Sequence, residues 1–399
     1  MLAAFVGAAL ARTLPLQPPA SLRDAPLQGL RGISAFFVFL HHALLWFLYT
    51  HGRGWGDPEW VRQSGECRVV LFFLLASTLF YGRLLDARGR SFDWLRLLVS
   101  RLMRLTPVYL VAMGLMLAVL AYATAHRIDG AGSGIVLRSW SDILGATAVW
   151  LCFSVLGMPA IDAYMNTPLI TAAVTWTMPL ELTFYLLLPL LALPLRVRMP
   201  KAALGVGLAA LLWLAAWAPD PLLVAPFVGG MAVALAIRTP PVARLLRHRA
   251  CGIAFPALLG CAIFLFPSAY SPVPLVLESI ALAIVAAGND LFGVLRWRAP
   301  MMLGNCAYSL YLLHGVALYT LFLLVIGAEH AAALSALQYA GVVVLFTPVV
   351  VALAWASQRW IEVPPKRAVP SLVAALRRVL AARDPRNGEG RPVSRTNMA

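Results

Sequence analysis

The chain has 399 residues, of which 61% are hydrophobic and 12% are charged. An ordinary soluble protein carries about twice that share of charge, so the composition excludes that class. Apolar runs with the length of a membrane-crossing helix recur between Arg31 and Trp360. The net charge of +15 therefore indicates basic cytoplasmic connections and contact with anionic lipid headgroups, not nucleic-acid binding. The five cysteines show no CxxC pairing, which argues against a disulfide framework or a zinc site.

The sequence divides into three parts. Residues 1–26 contain a short apolar stretch with no basic segment before it, so we expect a flexible cytoplasmic leader and not a cleaved signal. Residues 27–364 form the predicted membrane domain, and residues 365–399 a basic cytoplasmic tail. A basic amphipathic segment, "FDWLRLLVSRLMRL", precedes the third apolar run and is typical either of a headgroup anchor or of one wall of an anion site.

Eleven apolar runs are candidate membrane helices. They cover residues 32–50, 69–81, 105–123, 143–156, 172–195, 203–217, 222–237, 252–267, 273–287, 302–326 and 339–357. Because Lys and Arg accumulate in cytoplasmic connections, the positions of the basic residues fix which runs cross. Between residues 123 and 196 the chain must cross an odd number of times, so we expect run 143–156 to be re-entrant or interfacial. The fold predicted is an all-α polytopic bundle of about ten transmembrane helices, with both termini in the cytoplasm.

Ionisable side chains inside apolar spans are costly and therefore indicate a functional site. His42 follows Arg31 by three helical turns, about 16 Å deeper and on nearly the same helix face. Counted from the ends of their own spans, Glu181 and His314 also fall near the middle of a hydrocarbon layer about 30 Å thick. We expect the three to share a polar site, the alternative being separate interhelical hydrogen bonds. His41 faces about 100° away from His42 and is either a packing partner or a second imidazole of the site.

Six segments stand out, in order along the chain: "LRGISAFFVFLHH", "VVLFFLLASTLF", "SRLMRLTPVYL", "WTMPLELTFYLLLP", "LGNCAYSLYLLH" and "RWIEVP". They resemble motifs of the acyltransferase 3 family of integral membrane O-acyltransferases. "LRGISAFFVFLHH" is similar to the family's Arg-x10-His signature, whereas "VVLFFLLASTLF" has Ala76 and Ser77 in place of the family's usual Ser-Gly. Together the six segments cover roughly residues 28–364.

The resemblance implies an acyltransferase that moves an acyl group, most often acetyl, from acyl-CoA to a hydroxyl of a sugar. Such acceptors include lipopolysaccharide O-antigen, exopolysaccharide and glycolipid, and the expected location is a bacterial inner membrane. Acyl-CoA is the expected co-substrate, with membrane lipids and a sugar or lipid-linked glycan as partners, and no metal or nucleic acid.

The same resemblance assigns roles to individual residues. His42 is the expected base, because an imidazole can exchange a proton near neutral pH. Glu181 would orient the imidazole or the acceptor hydroxyl, and His314 is a second acid, base or oxyanion candidate. Guanidinium groups match phosphate oxygens, so the expected CoA-binding residues are Arg31, Arg101 and Arg104. Other expected site-lining residues are Trp176, Tyr185, Tyr308, Tyr311, Arg359 and Glu362.

Two other functions fit the same residues. Histidine and glutamate at mid-membrane depth are also typical of proton-coupled exporters of small polar or acylated metabolites. No pair of broken helices in two related halves is evident, which argues against a transporter. A non-catalytic lipid-binding or assembly subunit is the third alternative.

Overall fold

The computed structural model describes residues 14, 24–53, 55, 58–126, 139–161, 167–217 and 219–382. These residues form helices joined by short connections, and an isolated bridge between Ser91 and Arg198 is the one β contact among them. The all-α membrane fold predicted from the sequence is confirmed. Most of the predicted leader and the end of the predicted tail lie outside the described residues.

Sixteen α-helices follow one another along the described chain. They are α1 (Ala25–Thr50), α2 (Glu59–Asp86), α3 (Trp94–Ala125), α4 (Trp140–Leu151), α5 (Thr167–Ile170), α6 (Thr177–Leu191), α7 (Lys201–Trp217), α8 (Pro221–Ala236), α9 (Pro240–Leu246), α10 (Arg249–Phe264), α11 (Pro272–Ala286), α12 (Arg298–Asn305), α13 (Ala307–Tyr319), α14 (Ala328–Ala333), α15 (Ala336–Ser357) and α16 (Val363–Ala382). Short 3-10 turns at Val174–Trp176 and Val294–Arg296 precede α6 and α12, and π-helical turns at Thr320–Val325 and Gln358–Glu362 follow α13 and α15.

Six helical stretches of the described residues are long and apolar enough to cross a membrane, or seven if α8 and α9 form one bent span. Three further apolar helices, α7, α10 and α11, have only 15 to 17 residues. Helix α4, in the segment expected not to cross, has 12 residues. The structure thus supports a multi-pass membrane protein, while the count of about ten spans and the cytoplasmic termini stay predictions.

Helices α1 and α12 approach each other through glycine. A Cβ atom on Gly32 would lie 2.2 Å from the Pro300 carbonyl oxygen, and one on Gly29 would lie 1.9 Å from the Leu295 carbonyl oxygen. On the other helix, a Cβ on Gly304 would lie 2.2 Å from the Gln28 carbonyl oxygen. In a membrane, where lipid is as apolar as the helices, such backbone contact is a main source of helix association.

This contact fixes how α1 lies against α12 and α13. Gln28 Nε2 donates hydrogen bonds to the Met301 carbonyl oxygen at 3.0 Å and to Asn305 Oδ1 at 2.5 Å. The chain then turns at Cys306 into α13, whose residues are buried on nearly every face. Farther along α13, Gly315 lets the helix touch the backbone of Thr171, 2.3 Å from where a Cβ would lie. The first apolar run, residues 32–50, and the run that contains His314, residues 302–326, thereby lie side by side.

The basic amphipathic segment is part of a longer helix than the sequence suggested. It is continuous with the third apolar run, so that α3 begins at Trp94, where the Asp93 side chain accepts from the Arg96 backbone N–H. Helix α16 packs on α3, and Arg377 forms an ion pair with Asp93 at 2.7 Å. The predicted boundary between membrane domain and tail, after Pro364, falls inside α16.

Replacing Gly32 with alanine tests the close approach of α1 and α12. The new methyl group would overlap the Pro300 carbonyl, and overpacking of this kind costs about 1–3 kcal/mol. We expect a lower midpoint of thermal unfolding in detergent. Gly341→Ala is the matched control, because a Cβ there meets nothing within 4 Å. Equal unfolding temperatures for the two variants would contradict the packing.

Candidate functional site

Two histidines from different helices form a hydrogen-bonded pair in the core. His42 Nδ1 on α1 lies 3.0 Å from His314 Nε2 on α13, and the ring centroids are 4.8 Å apart. His314 is fully buried and His42 half-buried. The glycine contact between α1 and α12 sets this distance, because α12 leads directly into α13. The structure therefore brings together two of the three residues expected to share a site.

The surroundings of the two rings determine where their protons lie. His314 Nδ1 is 2.9 Å from the Leu310 carbonyl oxygen, so in the neutral ring Nδ1 carries the hydrogen and Nε2 is an acceptor. His42 Nδ1 faces two acceptors, His314 Nε2 and the Val38 carbonyl oxygen at 2.9 Å, and so must carry the hydrogen of its ring. This assignment leaves the lone pair of His42 on Nε2. His42 Nε2 is thus the atom of the pair that can accept a proton from a substrate.

His41 faces α2, on the other side of α1. Its Nδ1 lies 3.4 Å from Ser64 Oγ, and its ring is edge-on to His42 with centroids 5.0 Å apart. A Cβ on Gly65 would lie 2.4 Å from His41 Nε2, so the glycine makes room for the imidazole. His41 thus packs against α2 and touches the histidine pair from the side.

A large cavity with a strongly positive lining lies beside the pair. Its volume is about 930 Å³, and eight basic but only three acidic side chains line it. The basic residues are Arg31, Arg83, Arg101, Arg104, Arg238, Arg247, Arg296 and Lys366, and the acidic ones are Asp24, Asp86 and Glu181. Tyr311 connects the two features, because it lines the cavity and its ring centroid is 6.3 Å from that of His314.

All three arginines expected to bind CoA line this cavity. Arg31 lies within electrostatic range of both Arg101 and Arg104. The Arg101 guanidinium lies 4.7 Å from the centre of the Phe80 ring, and its buried Nε has no hydrogen-bond partner in the described part of the chain. The described carboxylates near these three guanidinium groups are Glu181, in the lining, and Glu362, 3.9 Å from Arg104 Nε. The positive charge that remains favours an anionic ligand.

Glu181 lies in the cavity and not at the histidine pair. Its carboxylate accepts a hydrogen bond from the Tyr185 hydroxyl, one helical turn later on α6. The imidazole of His42 is oriented instead by His314 and by the Val38 carbonyl. Of the two roles expected for Glu181, orienting an acceptor hydroxyl is the one that this position allows.

Two tyrosines of α13 line the cavity and fix the helices around it. The Tyr308 hydroxyl donates to the Leu105 carbonyl oxygen on α3 at 2.9 Å. The Tyr311 hydroxyl donates to the Val174 carbonyl oxygen at 3.0 Å and lies 2.9 Å from Thr177 Oγ1 at the start of α6. These bonds hold α3, α6 and α13 around the same space.

The remaining expected site residues lie apart from the cavity lining. Glu362 is fully buried, forms an ion pair with Lys366, and lies 3.9 Å from Arg104 Nε, so it holds α16 against α3. Trp176 packs against Phe73 with ring centroids 6.4 Å apart. Arg359 is exposed and is not among the lining residues.

The sequence did not single out four arginines of the cavity. They were interpreted only as positive charges of cytoplasmic connections, and no local motif surrounds them. They are Arg83, Arg238, Arg247 and Arg296. The one signal available in the sequence was the overall surplus of basic residues, a net charge of +15.

The helical membrane bundle agrees with the comparison to known protein families. The model of an acyltransferase domain matches residues 25–357, most of the chain. The protein is therefore a membrane acyltransferase. The chain belongs to the acyltransferase 3 family, as the six motifs indicated. Neither the search of curated proteins nor the search of solved structures found a match.

Replacing Tyr311 with phenylalanine tests the hydrogen bonds that its hydroxyl makes to Val174 and Thr177. The change keeps the ring but leaves the buried Val174 carbonyl without the tyrosine O–H, and one such bond contributes about 0.5–1.5 kcal/mol. We expect a lower thermal unfolding midpoint in detergent. Tyr122→Phe is the control, because that tyrosine is 48% exposed. Unfolding midpoints that fall equally in both variants would argue against these bonds.

Proposed function

We propose that this acyltransferase moves an acyl group, in the simplest case acetyl, from acyl-CoA to a hydroxyl group of a cell-surface sugar. The proposed acceptors are O-antigen, exopolysaccharide and glycolipid. The observation that carries the proposal is the position of a cavity rich in arginine beside a histidine whose Nε2 is free to accept a proton. An acyl-CoA is a polyanion with a reactive thioester at the end of a long arm, so it suits both features.

The inner part of the cavity is the proposed site of the CoA pyrophosphate. Arg31, Arg101 and Arg104 offer planar donor groups that match phosphate oxygens. Arg31 stands on the same helix as His42 and eleven residues before it, which is about 16 Å along the helix axis. A donor anchored at Arg31 would therefore have its pantetheine arm directed along α1 toward the histidine pair.

The proposed reaction needs one base and one proton transfer. His42 Nε2 takes the proton from the acceptor hydroxyl while the oxygen attacks the thioester carbonyl carbon. The new C–O bond forms, the C–S bond breaks, and the proton passes from His42 to the departing thiolate, which leaves as CoA–SH. His314 accepts from His42 Nδ1–H and holds the ring in the tautomer that the reaction requires. Glu181 orients the acceptor from the cavity side.

We further propose ten membrane crossings with both termini in the cytoplasm, and an inner-membrane location. The six long apolar helices, the bent pair α8–α9 and the three shorter apolar helices together supply ten elements. Arg83, Arg238, Arg296 and Lys366 lie far apart along the chain and line one cavity, which supports placing the parts of the chain that carry them on one side of the membrane. The donor would then enter from the cytoplasm, where acyl-CoA is made.

Substitution of the histidine pair tests the reaction. We expect His42→Ala to lower the transfer of radiolabelled acetyl from acetyl-CoA into membrane glycans by about 10²–10⁴, the contribution typical of a general base. His314→Ala should also reduce transfer, because it removes the group that orients His42. In the double variant the loss should be no larger than in His42→Ala alone, since His314 acts through His42.

His126→Ala is the matched control, because His126 is exposed at the end of α3. Near wild-type acetyl transfer by His42→Ala would show that His42 is not the base. Flux of an unacylated metabolite through vesicles that contain no acyl-CoA would favour the exporter instead.

A further inference from the structure

The mouth of the cavity carries a second set of cations that the reaction described above does not use. We call Arg83, Arg238, Arg247 and Arg296 the mouth arginines. They are exposed, whereas Arg31, Arg101 and Arg104 are half-buried and lie farther in. They come from the end of α2, the connection from α8 through α9, and the 3-10 turn before α12. Three separate segments thus contribute one arginine or more to the same opening.

Backbone and side-chain contacts hold three of these arginines in place. Arg238 Nη2 donates to the Gly82 carbonyl oxygen and to Asp86 Oδ1, both at 2.7 Å. Arg247 Nε donates to the Ala287 carbonyl oxygen at 2.6 Å, and Arg296 Nε forms an ion pair with Asp290 at 2.8 Å. A cation that served only to orient the protein in the membrane would not need such fixed positions.

Arg247 keeps most of its capacity to bind a further group. The bond to Ala287 uses only Nε, so the described residues leave the four N–H donors of its terminal nitrogens unused. Arg247 also forms no ion pair with an acidic side chain of the described chain, whereas Asp86 is taken by Arg238 and Asp290 by Arg296. A guanidinium that is fixed through Nε and keeps the N–H groups of Nη1 and Nη2 available is suited to bind a phosphate.

We propose that the mouth arginines, and Arg247 above all, bind the 3′-phosphate of the adenosine of CoA. The inference rests on the proposed function, which assigns an acyl-CoA to this cavity. In CoA the thioester arm, the pyrophosphate and the 3′-phosphorylated adenosine follow one another along one chain. If the thioester reaches the histidine pair and the pyrophosphate lies at the inner arginines, the 3′-phosphate falls at the mouth.

The experiment compares CoA with 3′-dephospho-CoA, which lacks only this phosphate. Binding to the full-length protein in phosphatidylcholine nanodiscs is measured by calorimetry, so that no acceptor is needed. We expect the wild type to bind CoA about 10- to 100-fold more tightly than dephospho-CoA, since the 3′-phosphate makes charge-assisted hydrogen bonds. Arg247→Gln should weaken CoA binding about tenfold and leave dephospho-CoA binding unchanged.

Arg244→Gln is the matched control. Arg244 lies on the same short helix, is exposed, and does not line the cavity, so both ligands should bind as to the wild type. Equal affinity of the wild type for the two ligands would overturn the inference. An equal loss of affinity for both ligands in Arg247→Gln would overturn it as well, because that loss would not involve the 3′-phosphate.

Lipid phosphate is the other source of the same chemistry, and a second set of nanodiscs containing phosphatidylglycerol distinguishes it. If the mouth arginines bind lipid headgroups, the anionic lipid abolishes the preference for CoA over dephospho-CoA. A preference that persists in both membranes supports the CoA site. If the wild type preferred CoA over dephospho-CoA but transferred no acyl group, the proposed function would be contradicted and the 3′-phosphate site would still be supported.

Discussion

The close contact between α1 and α12 is the constraint on which the rest of the structure depends. Gly29 and Gly32 present bare backbone to the segment around Pro300, and Gly304 does the same in return. A larger side chain at any of these positions would separate the helices. Since α12 continues into α13, that separation would also move His314 away from His42. A packing feature near one end of α1 thus determines a hydrogen bond almost three turns farther on.

Burial in the helix bundle explains why the pair has the chemical form that the contacts indicate. An ionised imidazole is costly when it is buried, so two neutral rings that satisfy each other are favoured. Each ring uses Nδ1–H toward a carbonyl oxygen four residues earlier in its own helix. The helices therefore supply both the position of His42 and the tautomer that its proposed role as a base requires.

The cavity, in contrast to the neutral histidine pair, carries a surplus of positive charge. The cavity gathers arginines from helices and connections that are far apart in sequence, and its own carboxylates compensate few of them. Glu362 forms ion pairs with Lys366 and Arg104, and Glu181 accepts a hydrogen bond from the Tyr185 hydroxyl. The protein thereby keeps a surplus of cations facing one space. A polyanionic ligand would supply the missing charge, which joins the cavity to the histidine pair in one function.

Much of this arrangement could be predicted from the sequence, because apolar runs and buried ionisable residues are local signals. The helical fold and the family follow from such signals, and so does the expectation that His42 and His314 lie close together, although not that they bond to each other. The place of Glu181 could not be predicted, because depth in the membrane does not tell which neighbour a side chain faces. The mouth arginines were hidden for a related reason, since a basic connection looks the same whether it meets lipid or a ligand.

The tautomer of His42 is the most direct test of the account. Nitrogen-15 NMR of the histidine-labelled protein in nanodiscs at neutral pH distinguishes a protonated from an unprotonated ring nitrogen, and the signals that disappear in His42→Gln identify the residue. We expect a neutral ring with the hydrogen on Nδ1 and the lone pair on Nε2. A ring protonated on Nε2, whether neutral or charged, would contradict it.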